Sequence, residues 1–175
     1  TADQIREGAR LAKELRIPFV SNQPQYSMLW RVIEDEVVPT SHQLGVSQIV
    51  WSPVAQGVLT GKYLPGQPLP KNSRATDENG GAAMIQRFLR DDVIETVQKL
   101  RPIAEELDLT MAQLAVAWVL ANPNVACAII GASRPSQIKE NVAASGVQLP
   151  DEVLSRIDDA LGDVVVRNPM LTAEN

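Results

Sequence analysis

The chain has 175 residues, of which 45% are apolar and 21% charged, a composition typical of one soluble globular domain. Its 21 acidic and 16 basic residues give a net charge of -5, which argues against general nucleic-acid binding. The single cysteine, Cys127, excludes an intrachain disulfide and favours a reducing, cytoplasmic compartment. No apolar stretch reaches the roughly 18 residues of a membrane helix, and no signal-peptide pattern opens the sequence, so no membrane association is expected.

Apolar periodicity divides the chain into helices, strands and one long loop. The first half is predicted to contain a helix over 5–15, a strand over 17–21, a helical stripe over 29–44 and a strand over 48–51, followed by a loop over 52–90. The second half is predicted to contain a helix over 93–107, a buried helix over 111–121, a strand over 125–130, and helices over 135–144 and from about 150. Pro39 should bend or break the helical stripe, and Pro102 should kink or break the helix over 93–107. Thr1 with Gln4, and Thr110 with Gln113, have capping-box spacing and indicate two helix starts.

The predicted strands are continuous apolar runs, as in a parallel sheet covered by helices. Three such strands make a small sheet with exposed edges, so the order resembles the end of an α/β protein whose beginning is missing. The long loop has no clear period, and loops of that length in compact chains are usually functional or mobile. We interpret Cys127 in its strand, and Trp30 and Trp118 on helical stripes, as core residues, and we expect His42 on the surface.

Polar or small residues follow each predicted strand. They are Ser21-Asn22-Gln23, Trp51-Ser52-Pro53 and Gly131-Ala132-Ser133-Arg134. Because ligands of parallel α/β folds bind at the carboxyl ends of the strands, these three ends could line one site. The alternative is that they are ordinary polar turns between strand and helix.

The segment 131–141 has the pattern of an anion-binding helix start. Pro135 suits the first helical turn, where free N–H groups and the positive end of the helix dipole face an anion. Ser133 adds a hydroxyl, and Arg134 adds a planar cation that can bind a phosphate through two N–H groups. The polar residues that share one face of this helix are Gln137, Glu140 and Asn141. Such a face could hold a nucleoside; the alternative is a capped surface helix with a solvated face.

These stretches resemble the aldo-keto reductase superfamily, in the branch that includes bacterial reductases and the β subunits of voltage-gated potassium channels. "WSPVAQGVLTGKY" at 51–63 is similar to the family's segment after its seventh strand, and "GASRPSQIKEN" at 131–141 to its motif after the eighth. "NQPQYS" at 22–27 looks like the exit of the sixth strand, and "KNSRA" at 71–75 resembles part of the family's long cofactor loop. The resemblance implies the C-terminal half of an eight-stranded (β/α)8 TIM barrel of ~250 residues or more. Residues 1–175 would then form a single domain, with strands 6 to 8, that lacks its N-terminal half.

The resemblance also implies an NADP(H) cofactor. Trp51 would stack on the nicotinamide ring, and Gln23 would hydrogen-bond its carboxamide. The residues implied along the pyrophosphate and the other phosphates are Ser52, Pro53, Val54, Ala55, Gln56, Gly57, Lys62 and Arg74. Gln56 stands where variants of the family carry a small residue. Those implied at the adenosine 2′-phosphate and the adenine are Gly131, Ser133, Arg134, Gln137, Glu140 and Asn141. A cation at the 2′-phosphate favours NADP over NAD.

The family's catalytic tyrosine, and the lysine, aspartate and histidine that support it, belong to the missing half, so no catalytic residue and no metal site is assigned to this chain. The implied function is an NADPH-dependent oxidoreductase that reduces a small carbonyl substrate, an aldehyde or ketone, to an alcohol. The alternatives are a redox-sensing regulatory subunit similar to the potassium channel β subunits, and a truncated, non-catalytic fragment. The sequence leaves open which substrate is used and whether the protein is a homo-oligomer.

Overall fold

The computed structural model describes residues 1–173. Its helices are α1 (Ala2–Leu15), α2 (Val37–Gln43), α3 (Gly81–Ile85), α4 (Asp91–Gln98), α5 (Arg101–Glu106), α6 (Met111–Leu120), α7 (Pro135–Val142) and α8 (Asp151–Leu161). Its strands are β1 (Ser21–Asn22), β2 (Ser47–Trp51) and β3 (Val125–Ile129). Short 3₁₀ segments lie at Ala55–Thr60, Arg74–Thr76, Gln86–Phe88, Gly162–Val164 and Pro169–Ala173.

The strands form one parallel sheet in the order β1-β2-β3, which confirms the parallel arrangement predicted from the apolar runs. Ser21 pairs with Ser47 on one side of β2, and Trp51 pairs with Ile129 on the other. Just after β1, Gln25 forms a further parallel bridge to Trp51. The carboxyl ends of all three strands therefore lie along one edge of the sheet.

A row of side-chain amides crosses this sheet. Asn22 Nδ2 donates to Gln48 Oε1, and Gln48 Nε2 donates to Asn124 Oδ1, each at 2.9 Å. Asn124 Nδ2 in turn donates to the carbonyl oxygen of Val46 at 3.0 Å. Gln48 is fully buried, so both ends of its amide need partners. The row links β1 and β2 to the turn before β3 and helps to fix the register of the strands.

The two predicted capping boxes are both present, Thr1 with Gln4 at α1 and Thr110 with Gln113 at α6. The helix α6 is buried along most of its length, as its apolar sequence predicted. The predicted core face of α8 is also confirmed, with Val153, Ile157 and Leu161 buried. The predicted break near Pro102 is confirmed as well: α4 ends before it, and Pro102 lies in the first turn of α5.

The helical stripe predicted over 29–44 is not one helix. Residues 27–36 form turns and isolated bridges, and only α2 is helical, with Pro39 in its first turn. Trp30 is buried, as predicted, although it does not lie on a helix. The apolar spacing was therefore a correct sign of burial as far as Val37, but not at Leu44, which is exposed, and a wrong sign of local structure.

The reason is that Arg31 draws this segment towards the C-terminal part of the chain. The Arg31 backbone N–H donates to Val166 at 2.8 Å, and Arg31 Nε donates to the carbonyl of Met28 at 2.9 Å. The buried guanidinium also pairs with Asp158 at 2.7 Å and lies 4.3 Å from the ring centroid of Trp118. These long-range contacts override the local helical preference.

Three other expectations are corrected. The strand predicted over 17–21 begins only at Ser21, because the left-handed Arg16 (φ 54°) ends α1 and Pro18 has no N–H to donate to a ladder. Cys127 is exposed rather than buried, because the faces of β3 are open at this point: Ala126, which points to the opposite face, is exposed as well. The loop predicted over 52–90 contains α3 and short 3₁₀ segments, anchored by the buried Ile85 and Phe88. His42 is exposed, as expected.

Candidate functional site

An open cleft of roughly 840 Å³ lies at the carboxyl edge of the sheet. Its walls come from three segments: 52–62 after β2, 72–79 in the long loop, and 129–137 after β3. The sequence-predicted residues that line it are Ser52, Pro53, Val54, Gln56, Gly57, Lys62, Arg74, Gly131, Ser133 and Gln137. The structure thus brings together two strand ends and part of the long loop that are far apart in sequence.

Six further residues predicted at the site do not line this cleft. They are Gln23, Trp51, Ala55, Arg134, Glu140 and Asn141. Gln23 is exposed and Trp51 half-buried, both at the carboxyl edge of the sheet. The side chain of Ala55 is fully buried in the core, which leaves only its backbone for a ligand. Arg134 is exposed at the start of α7. The cofactor contacts of these residues, like those of the residues that line the cleft, stay a prediction.

The turn after β2 has a strained backbone. Ser52, Ala55 and Gln56 have φ values of 58°, 46° and 59°, in the left-handed region that side chains disfavour, and Gly57 has φ 102°. Gln56 Nε2 donates a hydrogen bond to Ser52 Oγ, which closes the turn on itself. Strained residues of this kind persist only where the surrounding structure fixes them, and they cluster at ligand sites. The turn therefore has the character of a binding loop.

Lys62 is held at the cleft by contacts on both sides of it in sequence. Gln98 Nε2 donates to the carbonyl of Tyr63 at 2.8 Å and to that of Gly61 at 3.3 Å. Arg101 Nη2 donates to the same Gly61 oxygen at 3.2 Å. The Lys62 ammonium lies 5.2 Å from the centroid of the Tyr63 ring. Two helices, α4 and α5, thus place one cation in the cleft wall.

At the start of α7, two hydrogen-bond donors are directed at the same acceptor position. The backbone N–H of Ser133 donates to Gln137 Oε1 at 2.7 Å, and the Ser133 hydroxyl donates to the same oxygen at 3.1 Å. Pro135 occupies the first turn of the helix, as the sequence predicted. An oxygen of a phosphate can take the place of the glutamine oxygen, so these donors fit an anion.

The cleft carries charges of both signs. Lys62 and Arg74 line it together with Asp77 and Glu78. Asp77 Oδ1 accepts a hydrogen bond from the backbone N–H of Asn79 at 3.0 Å, so this carboxylate also shapes the loop before α3. The two carboxylates reduce the positive electrostatic potential of the cleft, so the attraction of an anion depends on the two cations.

Several lining residues were given no cofactor contact from the sequence. They are Thr60, Asn72, Ser73, Thr76, Asp77, Glu78, Asn79, Ile129, Ile130 and Ala132. Of these, Ala132 belongs to a strand end that was predicted to line a site, and Asn72 and Ser73 to the motif KNSRA. The signal that could have found those of the loop is the density of Asn, Ser, Asp and Gly over 72–81, which favours tight turns. Asn72 has φ 56°, as such turns often require.

Residues 1–173 contain no group of His, Cys, Asp and Glu side chains that could hold a metal ion. In the same part of the chain, no helix has the length and apolar character needed to cross a membrane. The polar groups of the cleft are hydroxyls, amides, two carboxylates and two cations.

The fold and the cleft define an α/β protein with a candidate ligand site at the carboxyl edge of a parallel sheet. A sequence model of the Aldo/keto reductase family matches residues 1–161. The chain belongs to this family, which confirms the resemblance drawn from its motifs.

The relatives fall in both parts of the predicted branch. The chain is similar to the probable voltage-gated potassium channel subunit beta of Arabidopsis thaliana, with 43% identity over 166 residues that cover 92% of this chain and 50% of the relative. The protein of the same name from rice, Oryza sativa subsp. japonica, is 41% identical over 163 residues, 90% of this chain and 49% of its own. L-glyceraldehyde 3-phosphate reductase of Escherichia coli K12 is 32% identical over 164 residues, 92% of this chain and 47% of its own. The chain spans about half the length of the curated relatives it matches.

Proposed function

We propose that this chain is the C-terminal half of an NADP(H)-dependent oxidoreductase domain and that it binds the cofactor in the cleft. The observation that carries the proposal is the meeting of three segments at one edge of the sheet: the strained turn after β2, the loop with Arg74, and the start of α7. Family membership supports an oxidoreductase. The three-stranded parallel sheet is consistent with part of a barrel.

The donors of the cleft fit a phosphorylated dinucleotide. Ser133 directs a backbone N–H and a hydroxyl at one point, and Arg134 at the start of α7 can add a charge-assisted bond to a 2′-phosphate. Lys62 and Arg74 would bind the pyrophosphate. Trp51, at the carboxyl end of β2, would cover one face of the nicotinamide and exclude water from it.

The cofactor, when bound, supplies a hydride for the reduction of an aldehyde or ketone to an alcohol. This chain's own residues bind and orient it: Gln23 would fix the ring through its carboxamide, and the turn 52–57 would follow the phosphates. Lys62 would neutralise their charge. No residue of the chain is assigned to the proton transfer, which the other half of the domain would provide.

A second candidate is a regulatory subunit that binds NADPH and turns over slowly. The higher identity to the two plant potassium channel subunits than to the bacterial reductase favours it. To separate the two, the chain would be joined to the N-terminal half of the rice relative, and NADPH oxidation measured with a panel of aldehydes. Rapid turnover supports the reductase, and binding without rapid turnover supports the subunit.

The cofactor itself is tested by calorimetric titration of NADPH and NADH into the 175-residue chain. We expect Arg134→Ala to weaken NADPH binding by about tenfold or more, because a hydrogen bond to a charged group contributes about 1.5–3 kcal/mol. NADH binding should change little. Lys139→Ala removes a cation from the last turn of the same helix, away from the helix start that carries Arg134, and serves as the control. Equal losses for both nucleotides, or no binding of NADPH by the unmodified chain, would contradict the proposal.

A further inference from the structure

Gln113 uses both ends of its side-chain amide. Its Oε1 accepts from the backbone N–H of Thr110 at 2.8 Å, which completes the capping box of α6. Its Nε2 donates to the backbone carbonyl of Glu140, in α7, at 3.1 Å. A capping box needs only the acceptor, and a glutamate serves it equally well. The amide nitrogen therefore makes a separate contact, between two helices.

The helix α7 has little else to hold it in place. None of its residues is buried, and its apolar side chains Ile138 and Val142 are 57% and 65% exposed. The nearest fully buried residue after it is Ala144. Because hydrophobic burial scales with the area removed from water, it contributes little to the position of this helix. A polar contact to its backbone consequently has more influence than it would on a buried helix.

The partner helix is a rigid reference. Seven of the ten residues of α6 are buried, including Leu114 and Trp118. Glu140 lies one helical turn after Gln137, which lines the cleft, and directly before Asn141. Fixing the Glu140 carbonyl against α6 sets the distance and rotation of the polar face of α7 relative to the cleft.

We propose that Gln113 is a positioning residue that sets the adenosine end of the cleft by tying α7 to α6. The inference rests on the proposed function, because the adenosine 2′-phosphate is the part of NADPH that α7 would hold. Gln113 is not among the residues that line the cleft, so it acts through α7 and not by touching the cofactor.

The test is Gln113→Glu, which keeps the acceptor for Thr110 and replaces the donor to Glu140 with a carboxylate oxygen. We expect NADPH and 2′,5′-ADP to bind about three- to tenfold more weakly, as the loss of one hydrogen bond allows. Reduced nicotinamide mononucleotide, which lacks the adenosine half, should bind as before. A general loss of structure would not spare one half of the ligand, so this difference distinguishes positioning from folding.

The matched control is Gln4→Glu, the same substitution at the same position of the capping box of α1. It should leave all three affinities unchanged, and the two variants should unfold at similar temperatures. If Gln113→Glu binds NADPH as the unmodified chain does, or weakens all three ligands equally, the inference is wrong while the proposed function stands. If the unmodified chain binds no NADPH, both are wrong.

Discussion

Gly57 lies so close to Lys62 that a β-carbon at position 57 would come within 3.2 Å of the lysine Nζ. Both residues line the cleft, and Gly57 has φ 102°, where any other residue is strained. The glycine therefore serves two purposes: it permits the backbone turn, and it leaves space for the ammonium group.

We expect Gly57→Ala to lower the free energy of unfolding by about 1–2 kcal/mol for the backbone conformation and to displace the Lys62 ammonium. Urea denaturation measures the first effect, and NADPH titration should show weaker binding from the second. Gly146→Ala is the control, because Gly146 has φ 84° and open space where a β-carbon would lie. It should share the loss of stability and leave NADPH binding unchanged. Equal binding losses in the two variants would rule out the role of Lys62.

The strain at Gln56 predicts an unusual order of stability. At φ 59° and ψ 18°, glycine is favoured over alanine, so Gln56→Gly should be more stable than Gln56→Ala by about 1 kcal/mol. The same pair at Lys13, in the regular helix α1, should give the opposite sign with glycine about 1 kcal/mol less stable. The free energies of unfolding of the four variants, measured by urea denaturation, test this prediction. If the difference between the glycine and alanine variants had the same sign at both positions, the left-handed conformation of Gln56 would be contradicted.

The amide row predicts a large effect at Gln48. Gln48→Ala leaves the Asn22 donor and the Asn124 acceptor without their partner, each at a cost of about 1–3 kcal/mol when buried. Gln148→Ala, at an exposed position, should change the free energy of unfolding by less than about 0.5 kcal/mol. Similar losses in both variants, measured by urea denaturation, would show that the row contributes nothing to stability.

Tyr26 predicts a loss of stability in alkaline solution. Burial, and next the charge of Glu34, raise the pKa of its phenol above the unfolded value of about 10. The hydroxyl donates to Glu34 Oε1 at 2.8 Å and accepts from Asn122 at 3.4 Å. Because the folded pKa is the higher one, the contribution is complete below pH of about 10 and is lost as the pH rises further.

Tyr26→Phe should remove that part of the alkaline decline, although it also lowers stability at neutral pH through the lost hydrogen bond to Glu34. The measurement is the free energy of unfolding in urea from about pH 8 to 11. A decline of the same steepness in both proteins would show that the Tyr26 phenol is not its source.

The sequence predicted best the elements with a local physical signature. Thr1 with Gln4, and Thr110 with Gln113, predicted the starts of α1 and α6 because capping depends on neighbouring residues alone. The segment around Arg31 could not be predicted in this way, because its shape depends on Val166 and Asp158, more than 120 positions further along the chain.

In the candidate site, too, residues with a local sequence pattern could be predicted and residues that depend on long-range contacts could not. The lining residue Gly57 was found because its motif resembles a known family, whereas Ser133 was first indicated by the helix-start pattern around Pro135. The contact of Gln113 with Glu140 leaves no trace in either local sequence, since the capping box already accounts for a glutamine at that position. Asn72 and Asp77 could have been suspected as turn residues, but nothing local shows that their loop lines the same cleft as the start of α7.

Within residues 1–173, β3 pairs with β2 alone, and the side of β3 that carries Cys127 is open to solvent. The Cys127 thiol can therefore report whether this side of β3 is covered. A thiol-reactive dye should label Cys127 quickly while that side of the strand is bare, and the labelling rate should fall as a complementary polypeptide is added that covers it. The one sulfhydryl group of the molecule can thus be used to follow assembly in real time.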